Sequence, residues 1–432
     1  MRVVQLIPGT GGTFYCQNCM RDSALVRGLR RHGVDVMLVP LYLPLKVDAE
    51  GIEDDLPVFF GGINAYLQQQ FKLFRKTPRW LDRFFDARWM LDRAAAREGS
   101  MSASALGPMT LSMLQGRDGN QRKEVDRLVE WLGEHDTPDV IHASDSLLLG
   151  VATELKKALH APLVCSLQDE HTWLDAIPAP YGPRCWEAMS EQARQVDAFI
   201  AVSEWYAGEM GRRMGIPPDK MNVVPVGIEL DGIEPATAPP DPPVIGYLSR
   251  MSESMGLGLL VDAFIQLKQE PRLQDVRLRV TGGRTAEDVP FLERVQARIR
   301  ERGFEGDVEF DAGFDKAGRH AFLRGLSVLS VPAPEGEAFG TFIIEALAFG
   351  VPVVQPAAGA FPEILEATGG GLLYDPGEVD GLAAALDALL SDPARAQELG
   401  RRGREAVARE YGVDKASERV WAVYKAVAGH DT

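Results

Sequence analysis

The stretch Ser330–Gly350, SVPAPEGEAFGTFIIEALAFG, sets two carboxylates on either side of a change in secondary structure. Its apolar opening reads as the end of a strand and Pro332–Ala338 as a loop. The run after Phe339-Gly340 reads as a helix to about Phe349, which Gly350 and Pro352 stop. Glu337 then lies in the loop, and Glu345 about one and a half turns into the helix. A loop acid can reach a sugar hydroxyl, and a helix acid can grip a ribose diol. Between them the free N–H groups of the helix point at the loop, a natural seat for a diphosphate. Taken singly, each acid also fits a plainer role, Glu345 as a solvated helix residue and Glu337 as an N-terminal cap.

The elements that must carry these groups fall into two series. Val3–Ile7 is a short β-rich run, followed by the glycine loop Gly9-Thr10-Gly11-Gly12. A helical pattern through Leu25, Leu29 and His32 is closed by Gly33, and Val34–Pro40 is a second strand. Strand, glycine loop, helix and strand open a parallel sheet. Val140–His142, Pro162–Leu167, Ala198–Val202 and Asn222–Val226 continue it. Glu234–Pro243, EPATAPPDPP, has five prolines and no periodicity, and reads as a linker. After it come strands at Val244–Leu248, Arg277–Thr281, Val308–Asp311, Ser327–Val331 and Pro352–Gln355, with helices between them. Two α/β halves joined by a proline-rich hinge imply a cleft, with ligands at the carboxyl ends of the strands.

Two familiar motifs fail. In Gly9–Gly12 the third glycine of G-x-G-x-x-G would fall at Phe14, and the second strand ends in Val39-Pro40 without an acid. There is no G-x-x-x-x-G-K-[ST] phosphate loop. Cys16-x-x-Cys19 lacks a second C-x-x-C, so Cys165 and Cys185 would complete a metal site only if the fold gathered all four; buried thiols are the plainer reading.

Bulk properties narrow the classes. The 432 residues are 45% hydrophobic and 25% charged, which suits two domains of roughly 200 residues each. A formal net charge of −16 opposes the broad basic face that nucleic acid needs. It also disfavours whole-surface attraction to anionic lipid, so peripheral membrane contact would rest on a local basic patch. No run reaches the ~18 apolar residues of a membrane span, and Met1–Ile7 is too short for a signal-peptide core. With only four cysteines, the chain reads as cytoplasmic. Residues from about Pro44 to Leu132 break the strand–helix rhythm. Within them Phe71–Arg97 interleaves eight basic residues with Phe74, Trp80, Phe84, Phe85 and Trp89. This is either a surface for an anionic acceptor or lipid head groups, or an inserted helical hairpin with solvated arginines.

The order Glu337-x7-Glu345 around Phe339-Gly340, then Glu345-Ala346-x3-Gly350-x-Pro352, then Gly359-x2-Pro362-Glu363, resembles the retaining glycosyltransferases of family four. Asp139–His142, Val202-Ser203 and a final helix around Tyr411–Val427 also fall where that family would place them. The resemblance implies the GT-B fold, two Rossmann-like parallel-sheet domains facing a central cleft. The domains would be 1–233 on the acceptor side, with an insertion at about 44–132, and 244–410 on the donor side. They would be joined by 234–243, with 411–432 packing back on the first.

The resemblance also implies roles. A nucleotide sugar would be the donor, Glu337 would contact its sugar hydroxyls, and Glu345 its ribose. Amides near Phe339, Gly340 and Thr341 would hold the phosphates, together with Arg250. The acceptor, a saccharide, a lipid-linked molecule or a small molecule, would bind near Gly11 and Gly12. No metal or other cofactor would be required, and the anomeric configuration would be retained.

Three departures stand out. The family's usual lysine is Met255 here, just before Gly256, and a methionine cannot neutralise a departing diphosphate; Arg284, in Gly282-Gly283-Arg284, is the candidate substitute. The family's first-lobe histidine is replaced by Gln168, with His171 three residues later either taking a polar role or serving as an ordinary loop histidine. The family's Asn-Gly before the hinge reads Val226-Gly227. Met255 and Gln168 keep open a protein that binds nucleotide sugar or glycan without turnover. A nucleotide-sugar epimerase or a phosphorylase on the same scaffold are further alternatives.

Overall fold

The computed structural model describes residues 1–8, 17–42, 103–134, 137–236, 238–311, 313 and 315–429. Gly11, Gly12, Cys16 and the basic segment Phe71–Arg97 lie outside them, as does the Cys19 side chain. The chain forms two compact units. The first is drawn from Met1–Gly12, Asn18–Gly227 and Asp414–Thr432, and the second from Thr13–Gln17 and Ile228–Val413. The break therefore falls after Gly227, ahead of the proline-rich stretch.

The first unit holds β1 (Arg2–Ile7), β2 (Asp35–Pro40), β3 (Val140–Ala143), β4 (Leu163–Leu167), β5 (Ala198–Ala201) and β6 (Met221–Val223). They form one sheet in the order β2-β1-β3-β4-β5-β6, parallel throughout. Runs such as VIHA and LVCSL are buried at every position, the pattern of strands covered on both faces. One face is covered by α1 (Gln17–Arg31) and by the chain's last helix, Val413–Ala428. Val420, Val423 and Tyr424 of that last helix pack with Val3, Ile7, Val140 and Val164. Each such apolar side chain contributes roughly 1.5–3 kcal/mol through burial. A polar tie fixes the register of the helix. Tyr424 Oη lies 2.6 Å from His142 Nδ1, and His142 Nε2 lies 2.8 Å from Ser166 Oγ, all buried.

The second unit holds β7 (Val244–Leu248), β8 (Arg277–Thr281), β9 (Val308–Phe310), β10 (Val328–Leu329), β11 (Val353–Pro356) and β12 (Gly371–Tyr374). Their order is β12-β11-β10-β7-β8-β9, again parallel. The order reverses direction between β7 and β10, so the loops leaving these two strands diverge and open a crevice at their carboxyl ends. β10 is shorter than the expected Ser327–Val331. β12 went unread because it is four residues long and lies at the sheet edge, where Leu373 is exposed.

Candidate active site

The switch point of the second unit brings together Arg250 and Glu337, two of the residues that the sequence singles out there. Arg250 leaves the end of β7, and Glu337 lies in the loop that follows β10. Tyr247, fully buried on β7, reports their proximity. Its hydroxyl pKa is pushed up by burial and by the Glu337 charge and pulled down by Arg250. The Tyr247 hydroxyl donates to the Arg250 carbonyl at 2.8 Å and to the Met255 carbonyl at 3.4 Å, which closes residues 250–255 into a tight loop. Gly256, at φ +73°, then presses against the Pro332 carbonyl.

Glu337 is held by its backbone, whose carbonyl accepts from Ala360 N–H at 3.0 Å. Burial raises its carboxyl to about 7, against the opposing pull of the Gln17 amide. Phe339 is buried and its ring packs 6.1 Å from that of Tyr411. Gly340, at φ +95°, caps α2 (Thr341–Ala348), a helix one residue shorter than its sequence suggests. Counted from Thr341, Glu345 is just over one turn into the helix. Gln17, whose packing groups it with this unit, reports what the helix start can bind. Its amide Nε2 donates to Glu337 Oε2 at 3.0 Å, and its Oε1 accepts from Thr341 N–H at 2.6 Å. One small polar group thus spans the carboxylate and the first amide of the helix.

Glu345 is not a free solvated acid. Its Oε1 lies 3.4 Å from Nε of Arg319, which is 5% exposed. Arg284 is exposed and pairs with no carboxylate among the described residues. Met255 is half-buried.

In the first unit, Gln168 follows β4 and is 3% exposed. Its Nε2 donates to the Ser144 carbonyl and, at 3.4 Å, to Asp22 Oδ1. Arg21 pairs with Asp22 at 3.3 Å, yet burial still raises the Asp22 carboxyl to about 6. Asp145, beside β3, is also raised, by burial and by the charge of Glu170. His171 is connected to this group through Tyr206 and Glu170. Its Nδ1 lies 3.4 Å from Tyr206 Oη and 3.6 Å from Asp169, its ring packs on Trp205 and Tyr206, and burial lowers its pKa.

Sequence reasoning passed over the residue that organises the first unit's loops. Glu170, 2% exposed, accepts from Ser146 N–H, Gln168 N–H and the Tyr206 hydroxyl at 2.9, 2.9 and 2.7 Å. The only hint was its place in Gln168-Asp169-Glu170-His171, where three polar neighbours hid it. Asp288 of the second unit was also missed, although Thr285-x-x-Asp288 is a capping-box spacing. Cys165 and Cys185 are buried free thiols with raised pKa values. Among the described residues no three His, Cys, Asp or Glu side chains form a metal site, and no helix is long and apolar enough to cross a membrane.

The family model described as glycosyl transferases group 1 matches residues 233–406, and that described as glycosyltransferase family 4 matches residues 108–231. The phosphatidyl-myo-inositol mannosyltransferase of Mycobacterium leprae is 30% identical over 312 residues, which are 70% of this chain and 77% of that protein. The chain belongs to the group 1 glycosyltransferases.

This glycosyltransferase is also 25% identical, over 82% of its length and 92% of the relative's, to a GDP-mannose-dependent alpha-(1-6)-phosphatidylinositol monomannoside mannosyltransferase of Mycolicibacterium smegmatis. It is 30% identical to the D-inositol 3-phosphate glycosyltransferase of Xylanimonas cellulosilytica over 57% of its own length, and spans 61% of that protein. Its fold matches sucrose-phosphate synthase of Thermosynechococcus elongatus across 100% of both chains, with a TM-score of 0.74 at 18% identity. The glycosyltransferase thus has two six-stranded parallel α/β units of the GT-B class.

Proposed function

We propose that this glycosyltransferase moves a sugar from a nucleoside-diphosphate donor, held by the second unit, to a hydroxyl-bearing acceptor with retention at the anomeric carbon. The observation that carries the reading is the bridge made by Gln17 between Glu337 Oε2 and Thr341 N–H. A hydrogen-bond donor for the carboxylate and an acceptor for the helix N–H lie one amide group apart. A sugar hydroxyl and a phosphate oxygen of one donor supply the same pair. The N-terminal dipole of the helix adds a fixed partial charge at the phosphate.

In this reading the reaction is driven by electrostatics and orientation. Arg250 and the amides at Phe339, Gly340 and Thr341 take up the charge that develops on the leaving diphosphate. Glu337 orients the sugar through its hydroxyls and forms no covalent bond to it. The acceptor hydroxyl attacks from the face the diphosphate leaves. Glu345, kept in place by Arg319, receives the ribose diol. Arg284 supplies the cationic charge that Met255 cannot. The diphosphate is neutralised by these side chains and the helix, without a metal.

The acceptor is expected at the first unit, where Asp22, Ser144 and Gln168 offer hydroxyl-binding atoms. The names of the relatives, which act on inositol phosphate and phosphatidylinositol species, support a polyol or its lipid-linked form. The printed GDP-mannose dependence of one relative supports a nucleotide-linked sugar.

Met255 favours a second reading, a protein that binds the donor and turns it over weakly or not at all. Both readings meet one experiment, thermal shift against UDP, GDP, ADP and their sugars, followed by turnover with polyol acceptors. A rise with one nucleotide that Glu345→Gln reduces supports the donor site; Gln is used because it keeps a polar group beside Arg319. Turnover that Glu337→Ala and Arg250→Ala each abolish supports the transferase reading. Binding without turnover supports the second, and no nucleotide response would sink both.

A further inference from the structure

We infer that Asp288 is a positioning residue that aims the Arg250 guanidinium at the leaving diphosphate, an inference that rests on the donor reading above. The loop that carries Arg250 and the loop that carries Asp288 are stitched together by backbone. Met251 N–H donates to the Gly283 carbonyl at 2.9 Å, and Ser249 N–H to the Thr281 carbonyl at 3.2 Å. Gly282, at φ +125°, lets the two strands of chain approach; a Cβ there would sit 2.1 Å from the Ser249 carbonyl oxygen.

Asp288 is prepared before it meets Arg250. It is 7% exposed, and its Oδ2 accepts from both the N–H and the hydroxyl of Thr285, at 2.7 and 2.8 Å. That same oxygen lies 3.6 Å from Arg250 Nε. The Arg250 backbone is fixed independently, because its carbonyl accepts from the Tyr247 hydroxyl and from Ser252 N–H at 2.8 Å each. The backbone at the root of the side chain is therefore fixed, and the Asp288 carboxylate sets a charge beside Nε without a hydrogen bond to it, while 41% of the side chain remains exposed. A guanidinium whose ion pair faces Nε keeps both terminal amino groups for a second partner, and that fork fits two phosphate oxygens. An arginine paired in this way loses less conformational freedom when the phosphate arrives.

The plainer role for Asp288 is the capping box alone, since Thr285 and Asp288 also satisfy each other in the 3-10 turn Ala286–Asp288 that leads into the Val289–Glu301 helix. A double-mutant cycle separates the two. Asp288→Asn keeps an oxygen for Thr285 and removes the charge that faces Arg250. The full chain would be tested as wild type, Asp288→Asn, Arg250→Ala and the double variant, by calorimetric affinity for UDP, GDP and ADP and by melting temperature. The positioning role expects Asp288→Asn to weaken the preferred nucleoside diphosphate about tenfold in the wild-type background and less than about twofold beside Arg250→Ala. An equal loss in both backgrounds would reduce Asp288 to a cap and overturn the inference. Should Asp288→Asn fail to fold, Thr285→Val loosens the carboxylate without removing it, and the same comparison applies. A wild type that binds none of the three nucleotides would remove the donor reading, and this role with it.

Discussion

Gly256 lies with its Cα against the carbonyl of Pro332, so closely that a Cβ would stand 2.0 Å from the oxygen. The contact locks the loop after β7 to the loop after β10, and so holds Arg250 and Glu337 at the carboxyl end of the sheet. Gly256→Ala must relieve both this overlap and a φ of +73°. We expect a loss of about 2 kcal/mol or more in denaturant unfolding, and donor turnover reduced with it. A variant as stable and active as the wild type would show that the two loops are not coupled.

Glu170 is expected to be the most costly acid to remove in the first unit. Glu170→Ala leaves three buried donors, on Ser146, Gln168 and Tyr206, without their acceptor. Each unsatisfied buried donor costs about 1–3 kcal/mol, partly relieved by water entering the space. Glu170→Gln keeps one acceptor oxygen and should recover part of the loss. Denaturation midpoints for the two variants, read beside Tyr206→Phe, test whether the carboxylate holds the loops.

Glu337 should impose pH dependence near neutrality. Its carboxyl is raised from 4.5 to about 7, so between these values the folded chain binds a proton that the unfolded chain releases. Stability from this group is full below about 4.5 and falls as pH rises through 7, by at most about 1.4 kcal/mol per unit. Activity should run the other way, because the carboxylate is the form that accepts from sugar hydroxyls. The acid limb of kcat/KM is expected near pH 7 and should vanish in Glu337→Gln.

His142 should act in the acid range with the opposite sign. Burial lowers its pKa from 6.5 to about 3, so the neutral ring between Tyr424 and Ser166 belongs to the folded state. Its contribution is intact above 6.5 and is lost as pH falls toward 3, at up to about 1.4 kcal/mol per unit. Urea unfolding between pH 4 and 7 should therefore lose part of its slope in His142→Asn. An unchanged slope would place the acid sensitivity elsewhere.

Much of this architecture is legible before folding, because it rests on local chemistry. The apolar runs mark the buried strands, and Gly340 and Gly350 punctuate the helix that separates Glu337 from Glu345, since few other residues tolerate the φ values found there. The role of Glu345 is less legible. Its ion pair is with Arg319, from a helix that no spacing rule connects to it. β12 escaped because four residues at a sheet edge carry too little hydrophobic pattern to stand out.

The sequence by itself determined most of the strands and the helix between Glu337 and Glu345, and hence an α/β chain with two acids and an arginine of suitable type. Only the tertiary structure decided which of them meet. Arg250 and Glu337 share a crevice because β7 and β10, distant in the chain, are neighbours across the reversal of strand order. Asp288 faces Arg250 because two loops pair through a glycine, and Glu170 gathers three donors from the segments that follow β3, β4 and β5. Such pairings cost chain entropy that no local preference supplies, and it is the burial of the sheet faces that holds them together.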